Sequence, residues 1–327
     1  MTVKERTAEL LTDHRGDFIS GSDIARELSV SRNAVWKAVK LLEADGYPIS
    51  AVTNRGYCIP ENADILDKRT VCRYISEKYR PDIDVRQKIT STNTVLKEMA
   101  DLGAKEGTVI ISAEQSAGKG RMNRRFISEQ EGVYFSFLLR PRIPASKALM
   151  ITTAAAVAAS RTIEEISGRR TDIKWVNDLF IGGKKVCGIL TEAAYGLEGG
   201  GLDYAVCGIG VNVRRPHNGF ADELSGIADA VLPQDKDIPD ARARIAAGII
   251  NNFFDLYYGD GLENGSYIEE YRSRSIVIGK NVRLINGENT REAYVYGIDD
   301  ECRLKVRYPD GTPDTISSGE VSLRMLG

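Results

Sequence analysis

Three kinds of hydrophobic spacing follow one another along the chain. Over the first sixty residues apolar positions recur at helical intervals. They predict a short helix over residues 5–11 and a second, N-capped by Ser22, running through Ile24 and Leu28. After the turn LSVSR, a third helix capped by Ser31 runs through Leu42 and stops near Asp45-Gly46. On it Val35, Val39 and Leu42 fall at i, i+4 and i+7, while Asn33, Lys37 and Lys40 share a different face with the same spacing. This is helix-turn-helix spacing, and residues 49–59 read as two strands around an Asn54-Arg55-Gly56 turn, a wing that brings Arg55 near a phosphate.

Beyond a polar stretch, Glu61-Asn62-Ala63-Asp64, read as a linker, the period changes. A helical run over 148–166 alternates with strand-like runs over 109–113, 133–139, 186–190 and 205–209, predicting an α/β or α+β domain on a mostly antiparallel sheet. In the last fifty residues VRLI, AYVYGI, LKVRY and VSLRML lie between turn signals and predict a small β-barrel, which supports the central domain or presents an acceptor protein. The expected domains are 1–63, 64–274 and 275–327, with Gly199-Gly200-Gly201 as a hairpin tip in the second.

Charge narrows the partners. A net charge of −2 excludes a globally basic nucleic-acid coat, and the charges of the first sixty residues cancel, so any basic surface there is confined to the third helix and wing. No acid interrupts Arg32 to Lys40, and Ser31, Arg32, Asn33, Lys37, Lys40 and Arg55 suit DNA contacts; the competing reading is a protein-packing module. The five cysteines are far apart and form no C-x-x-C pair, which favours reduced thiols in a cytoplasm over disulfides or zinc. With two histidines, a histidine-based metal site is not expected. Neither a signal peptide nor a run near the eighteen or so apolar residues of a membrane span is present, which predicts a cytoplasmic protein without membrane contact.

Two segments carry candidate chemistry. QSAGKGRMNRRF, residues 115–126, brings glycines and cations together in a loop that serves either as a solvated turn or as an anion clamp; Lys119 followed by Gly120 excludes a Walker A loop. KWVNDLFIGGKKVCGILTE, residues 174–192, holds a second basic site. There Lys184 and Lys185 follow the hairpin signal Gly182-Gly183 and point to opposite faces, so at most one enters a pocket; the competing reading leaves both solvated.

The order Ser91-Thr92-Asn93, Gln115, GKGRxxR, KWxND, Lys185 with Gly188, and Gly208-Ile209-Gly210-Val211-Asn212 resembles the biotin–protein ligase family at nearly every step. With the winged helix before and the β-rich module after, the plan resembles the family's bifunctional branch, in which the ligase also represses the biotin operon. The resemblance implies a class II synthetase-like catalytic domain and an SH3-like C-terminal barrel. It implies that ATP, with Mg2+, activates biotin to biotinyl-5′-AMP, and that biotin passes to a lysine of the biotin carboxyl carrier protein of acetyl-CoA carboxylase. The adenylate then acts as corepressor, favouring a homodimer on palindromic operator DNA.

By that resemblance Lys185 bridges the biotin carboxylate and the α-phosphate, with Lys184 left on the solvent side, and Arg121 serves activation and retention of the adenylate. Arg124 acts on the nucleotide or pyrophosphate, and Phe126, tryptophan in many relatives, covers the adenine. Ser91, Thr92 and Gln115 match the ureido partners, helped by backbone groups of Gly118, Lys119, Gly120 and Arg121; Asn93 is either a ligand contact or an N-cap. Asn177 and Asp178 lie beside the adenylate and the incoming lysine, where Asp178 orients the amine or helps hold magnesium, and Asn212 lies near the nucleotide. Trp175 reads as core. Two departures are Lys119, which lacks the fork of the arginine common there, and Val176, which replaces a proline. A biotin sensor without catalysis predicts decay of Lys185 and Arg121, and both are present; a lipoate–protein ligase would share the catalytic fold.

Overall fold

The computed structural model describes residues 1–195, 201–286, 289–317 and 321–325. Local capping sets its first helices. α1 (Val3–Asp13) begins with a capping box between Thr2 and Glu5. α2 (Gly21–Glu27) is capped by Ser20 and not by Ser22: Ser20 Oγ accepts the Asp23 N–H at 3.1 Å and donates to the Asp23 carboxylate at 2.7 Å, so the helix already contains Ser22. α3 (Arg32–Ala44) starts at Ser31 as expected, and Gly46 follows its end at φ 85°. Val35, Ala38, Val39 and Leu42 are buried against α1 and α2, whereas Arg32, Asn33, Lys37 and Lys40 are exposed. β1 (Ser50–Val52) and β2 (Gly56–Cys58) form the wing, and the Arg55 guanidinium lies over the Phe18 ring at 4.2 Å.

The stretch read as a linker is bound down. Ala63 is buried, Asn62 Nδ2 donates to Asp237 at 2.6 Å, and Asp64 accepts from Arg242 at 3.0 Å. After α4 (Lys68–Tyr74), the central sheet is built from β3 (Asp82–Ile89), β4 (Thr108–Gln115), β5 (Val133–Leu139), β6 (Asp172–Lys174), β7 (Asp178–Ile181), β8 (Lys184–Tyr195) and β9 (Leu202–Val211). Its order is β3-β4-β5-β9-β8-β7-β6, and only the β3–β4 pair is parallel. α5 (Thr92–Asp101) packs on one face through Leu96 and Ala100 against Ile110, Leu138 and Val206. On the other face α6 (Leu149–Ser167) and α7 (Ala241–Tyr258) bury Phe135, Phe137 and Leu139, so β5 is covered on both sides. Gly199 and Gly200, expected at the β8–β9 tip, lie outside the described residues.

α8 (Gly261–Asn264) and α9 (Ile268–Ser273) lead to a five-stranded antiparallel sheet of β10 (Asn281–Asn286), β11 (Asn289–Ile298), β12 (Leu304–Arg307), β13 (Pro313–Ile316) and β14 (Val321–Met325), ordered β13-β12-β11-β10-β14. Leu326, the last residue of the expected VSLRML strand, lies outside the described residues. Val282, Val295, Leu304 and Val306 of this sheet join the same core as the central domain. Among the described residues no helix is long and apolar enough to cross a membrane.

Arg274 ties this junction together, 2.5 Å from Glu164 of α6 and 2.8 Å from Glu270 of α9, and Glu270 also takes Arg161 at 2.6 Å. Burial alone would raise both carboxyl pKa values, but the hydrogen bonds and arginine charges outweigh it and hold both below the ordinary range. Their stabilisation is therefore complete above the unfolded carboxylate value of about 4.3 and is lost as pH falls through the lower folded values. In melts recorded from about pH 7 down to about pH 3, Glu270→Gln is expected to flatten the acid fall in Tm; equal slopes for both proteins would contradict this ionic tie.

Candidate active site

On the α5 face of the sheet, the backbone is bare where β8 and β9 run side by side, because Gly188 faces Gly210 and Leu190 faces Gly208. The missing side chains make room for specific neighbours. A Cβ on Gly210 would stand 2.6 Å from the Phe126 ring, and one on Gly208 would stand 1.9 Å from Asn93 Oδ1. Phe126 thus lies on the floor of a cavity of about 280 Å³, in a T-shaped contact with Tyr134 at 6.2 Å between ring centroids.

One end of the cavity is cationic. Gly182 and Gly183, at φ 58° and 78°, turn β7 into β8, so that Lys185 stands across from Phe180 and its Nζ pairs with Asp178 Oδ1 at 2.6 Å. Lys185 lines the cavity; Lys184 is half-buried and does not. Over this end folds the glycine-rich loop, closed by Gly120 N–H to Arg124 O at 2.7 Å and Phe126 N–H to Gly118 O at 2.9 Å. The closure brings Lys119, Arg121 and Arg124 to the cavity. Arg121 Nη1 donates to Asn177 Oδ1 at 3.4 Å. Burial lowers the Arg121 pKa; Asp178 opposes the shift and Arg124 adds to it, and a guanidinium stays charged regardless. Asn177 is fixed by its Nδ2 bond to Ile189 O at 2.9 Å. The peptide bond between Trp175 and Val176 is cis, and Trp175, buried as expected, donates from Nε1 to Cys302 O at 2.9 Å.

The other end is polar without net charge. Ser91 occupies the N-cap position of α5, so Asn93 is not the cap. Instead the buried Asn93 side chain donates to Leu190 O and Glu192, at 3.2 and 2.9 Å, and accepts from Ser136 Oγ at 2.6 Å. Burial would raise the Glu192 pKa, but the bonds from Asn93 and Lys97 outweigh it and keep it low, so the acceptor stays ionised. Gln115 Oε1 accepts the Thr92 N–H at 2.8 Å, which draws the end of β4 onto the start of α5.

Most of the sequence-predicted ligand residues therefore meet around one cavity: Ser91, Thr92, Asn93, Gln115, Lys119, Gly120, Arg121, Arg124, Phe126, Asn177, Asp178 and Lys185. Two do not line it. Asn212 turns away, donating to Asp229 O at 3.2 Å while its backbone joins Val186 and Val231, and Gly118 is buried at the neck of the loop, packed against Ser128 and Gln115. The DNA-contact candidates form a separate exposed face on α3 and the wing, although Lys40 also pairs with Glu43 at 2.6 Å and Ser31 caps its helix. Sequence reasoning missed Ser128 and Ser136, both buried. A lone serine in the apolar run VYFSFLL was the available signal for Ser136.

A family model described as the biotin/lipoate A/B protein ligase family matches residues 85–212, an HTH domain matches 4–58, and a biotin protein ligase C terminal domain matches 277–324. The bifunctional ligase/repressor BirA of Bacillus subtilis (strain 168) is 34% identical over 317 residues, covering 95% of each chain. The chain belongs to the bifunctional ligase/repressor family. A second member, BirA of Escherichia coli (strain K12), is 26% identical over 330 residues, covering 99% of this chain and 98% of its own. The biotin protein ligase of Aquifex aeolicus, solved in complex with biotin and ATP, superposes with a TM-score of 0.61 at 25% identity, covering 75% of this chain and 99% of that one.

The glycine floor gives a direct check on the site. Gly210→Ala is expected to expel the Phe126 ring, costing about 1–3 kcal/mol and speeding chymotryptic cleavage in the loop. Gly201→Ala, with open space around it, should be silent; equal behaviour of the two variants would show that the ring does not lie on this floor.

Proposed function

We infer that this chain is a biotin–protein ligase that activates biotin with ATP and also represses biotin genes. The observation that carries the reading is the polarity of one cavity, with uncharged hydrogen-bonding groups from Ser91, Thr92 and Gln115 at one end and Lys185, Arg121 and Asp178 at the other. A ureido ring suits the first end and a carboxylate meeting a triphosphate suits the second. The family model spans biotin and lipoate ligases; the HTH and C-terminal modules, shared along nearly the full length with the ligase/repressor relatives, favour biotin.

In the first step a biotin carboxylate oxygen attacks the α-phosphorus of ATP, and pyrophosphate leaves to give biotinyl-5′-AMP. Both reactants are anions, so Lys185 Nζ, held over the cavity by Asp178, bridges carboxylate and α-phosphate and offsets their repulsion. Arg121 and Arg124 take the phosphate oxygens, Phe126 packs against the adenine, and Asn177 acts beside the nucleotide, while Asn212, outside the cavity, holds the 227–229 segment whose backbone pairs with Lys185. In the second step the amine of an acceptor lysine attacks the acyl carbon and AMP leaves, with Asp178 orienting the amine. Among the described residues no group of three or more His, Cys, Asp or Glu is placed to hold a metal. Among the described residues lining the cavity the carboxylate is Asp178, which would help hold an Mg2+ ion, and the ion would supply charge neutralisation on the nucleotide phosphates.

The acceptor is the biotin carboxyl carrier domain of acetyl-CoA carboxylase. The exposed side of α3, with Asn33, Lys37 and Lys40, and Arg55 on the wing meet operator DNA, and the adenylate promotes a homodimer that pairs two winged helices. We place the module bounds at 1–63, 64–274 and 275–327 and the protein in the cytoplasm. Lys185→Ala is expected to lower adenylate formation about a hundred- to a thousandfold with unchanged circular dichroism, the loss typical of an electrostatic contact to developing charge. Normal turnover in that variant would sink the assignment.

A further inference from the structure

The neck of the glycine-rich loop contains a hydrogen-bond chain with a fixed direction. Thr92 N–H can only donate, so the Gln115 atom it meets at 2.8 Å is the amide oxygen, and the amide NH2 must face the other way. There Nε2 donates to Ser128 Oγ at 2.9 Å, and Ser128, buried at 5% exposure, donates its own hydrogen to Phe126 O at 3.0 Å. The backbone repeats the closure, with Gln115 N–H to Ser128 O at 3.3 Å. Packing leaves the chain little freedom, since a Cβ on Gly118 would stand 2.6 Å from Ser128 Oγ and 3.0 Å from Gln115 Nε2.

We propose that Ser128 is a positioning residue for biotin recognition. Gln115 has two N–H bonds on Nε2; Ser128 takes one, which fixes the amide plane, and the other is the donor that Gln115 offers to the cavity it lines. The same hydroxyl holds the Phe126 carbonyl, so one buried oxygen sets both the ureido-side amide and the backbone of the ring that covers the floor. Removing it leaves Gln115 Nε2 without its buried acceptor, so that the amide is held only at its oxygen, by Thr92, and can turn about that anchor. Ser128 touches no ligand in this arrangement; it acts through Gln115.

This inference rests on the biotin reading, and a double-mutant cycle separates the two. Biotin Kd is measured by calorimetry for the wild type, Ser128→Ala, Gln115→Ala and the double variant. Ser128→Ala is expected to weaken biotin about tenfold, and the double variant to be no weaker than Gln115→Ala alone to within about twofold. In pyrophosphate exchange the KM for biotin should rise with Ser128→Ala while kcat at saturating biotin stays within about threefold, a split that general destabilisation would not give. Wild-type affinity in Ser128→Ala, or losses that add in the double variant, would overturn the proposal while leaving the functional reading intact. No biotin binding by the wild type would overturn the functional reading and the proposal with it. Should Ser128→Ala not fold, Ser128→Cys, a weak donor and acceptor of similar size, takes its place in the cycle with the same expected coupling.

Discussion

Among the described residues, six cationic side chains, from Lys119, Arg121, Arg124, Arg125, Lys174 and Lys185, and one carboxylate, Asp178, line one cavity. Like charges at this density repel, and burial adds a desolvation cost that shows in the lowered pKa of Arg121. The fold must therefore hold them in place from outside. It does so with a glycine-floored sheet, a loop closed on its own backbone, and a hairpin whose turn residues accept positive φ. A cationic cavity suits an anionic substrate pair, because preorganised cations offset the repulsion between two anions.

The outer modules brace this arrangement at defined points. From the C-terminal module Cys302 O takes the Trp175 indole, and from α9 of the central domain Tyr271 donates to Val176 O at 3.1 Å, so both residues before Asn177 and Asp178 are fixed. From the N-terminal side, the start of α7 is a joint. Arg242 donates to Asp64 O at 2.9 Å and to Gln130 O at 2.8 Å, linking the segment after the winged helix to the end of the glycine-rich loop. Two residues earlier the buried Asp240 takes Arg15 of the winged helix at 2.8 Å and the Tyr74 hydroxyl at 3.2 Å. Ligand loop and DNA-facing module thus share one anchoring element.

Much of this was legible in the sequence where local chemistry decides. Ser31 caps α3 because its hydroxyl meets the Ala34 N–H three residues on, and Gly182-Gly183 turns the β7–β8 hairpin, both within reach of spacing rules. Illegible features depend on distant residues. Ser20 displaces Ser22 as cap through its exchange with Asp23, a choice between two nearby candidates. α7 is buried around most of its circumference, so its apolar residues show no single stripe. The segment 61–64 looks like a linker until Arg242, 178 positions from Asp64, closes on it. Asn212 sits in a motif that suggests ligand contact, yet the returning chain at Asp229 claims its amide.

ATP–pyrophosphate exchange by the wild-type protein, with biotin, lipoate or no acid, tests the cationic cavity's assigned chemistry most directly. Exchange that requires biotin and is absent with lipoate or without acid is the predicted result. Silence with biotin, in a protein that still binds it, would contradict the account and make the chain a sensor.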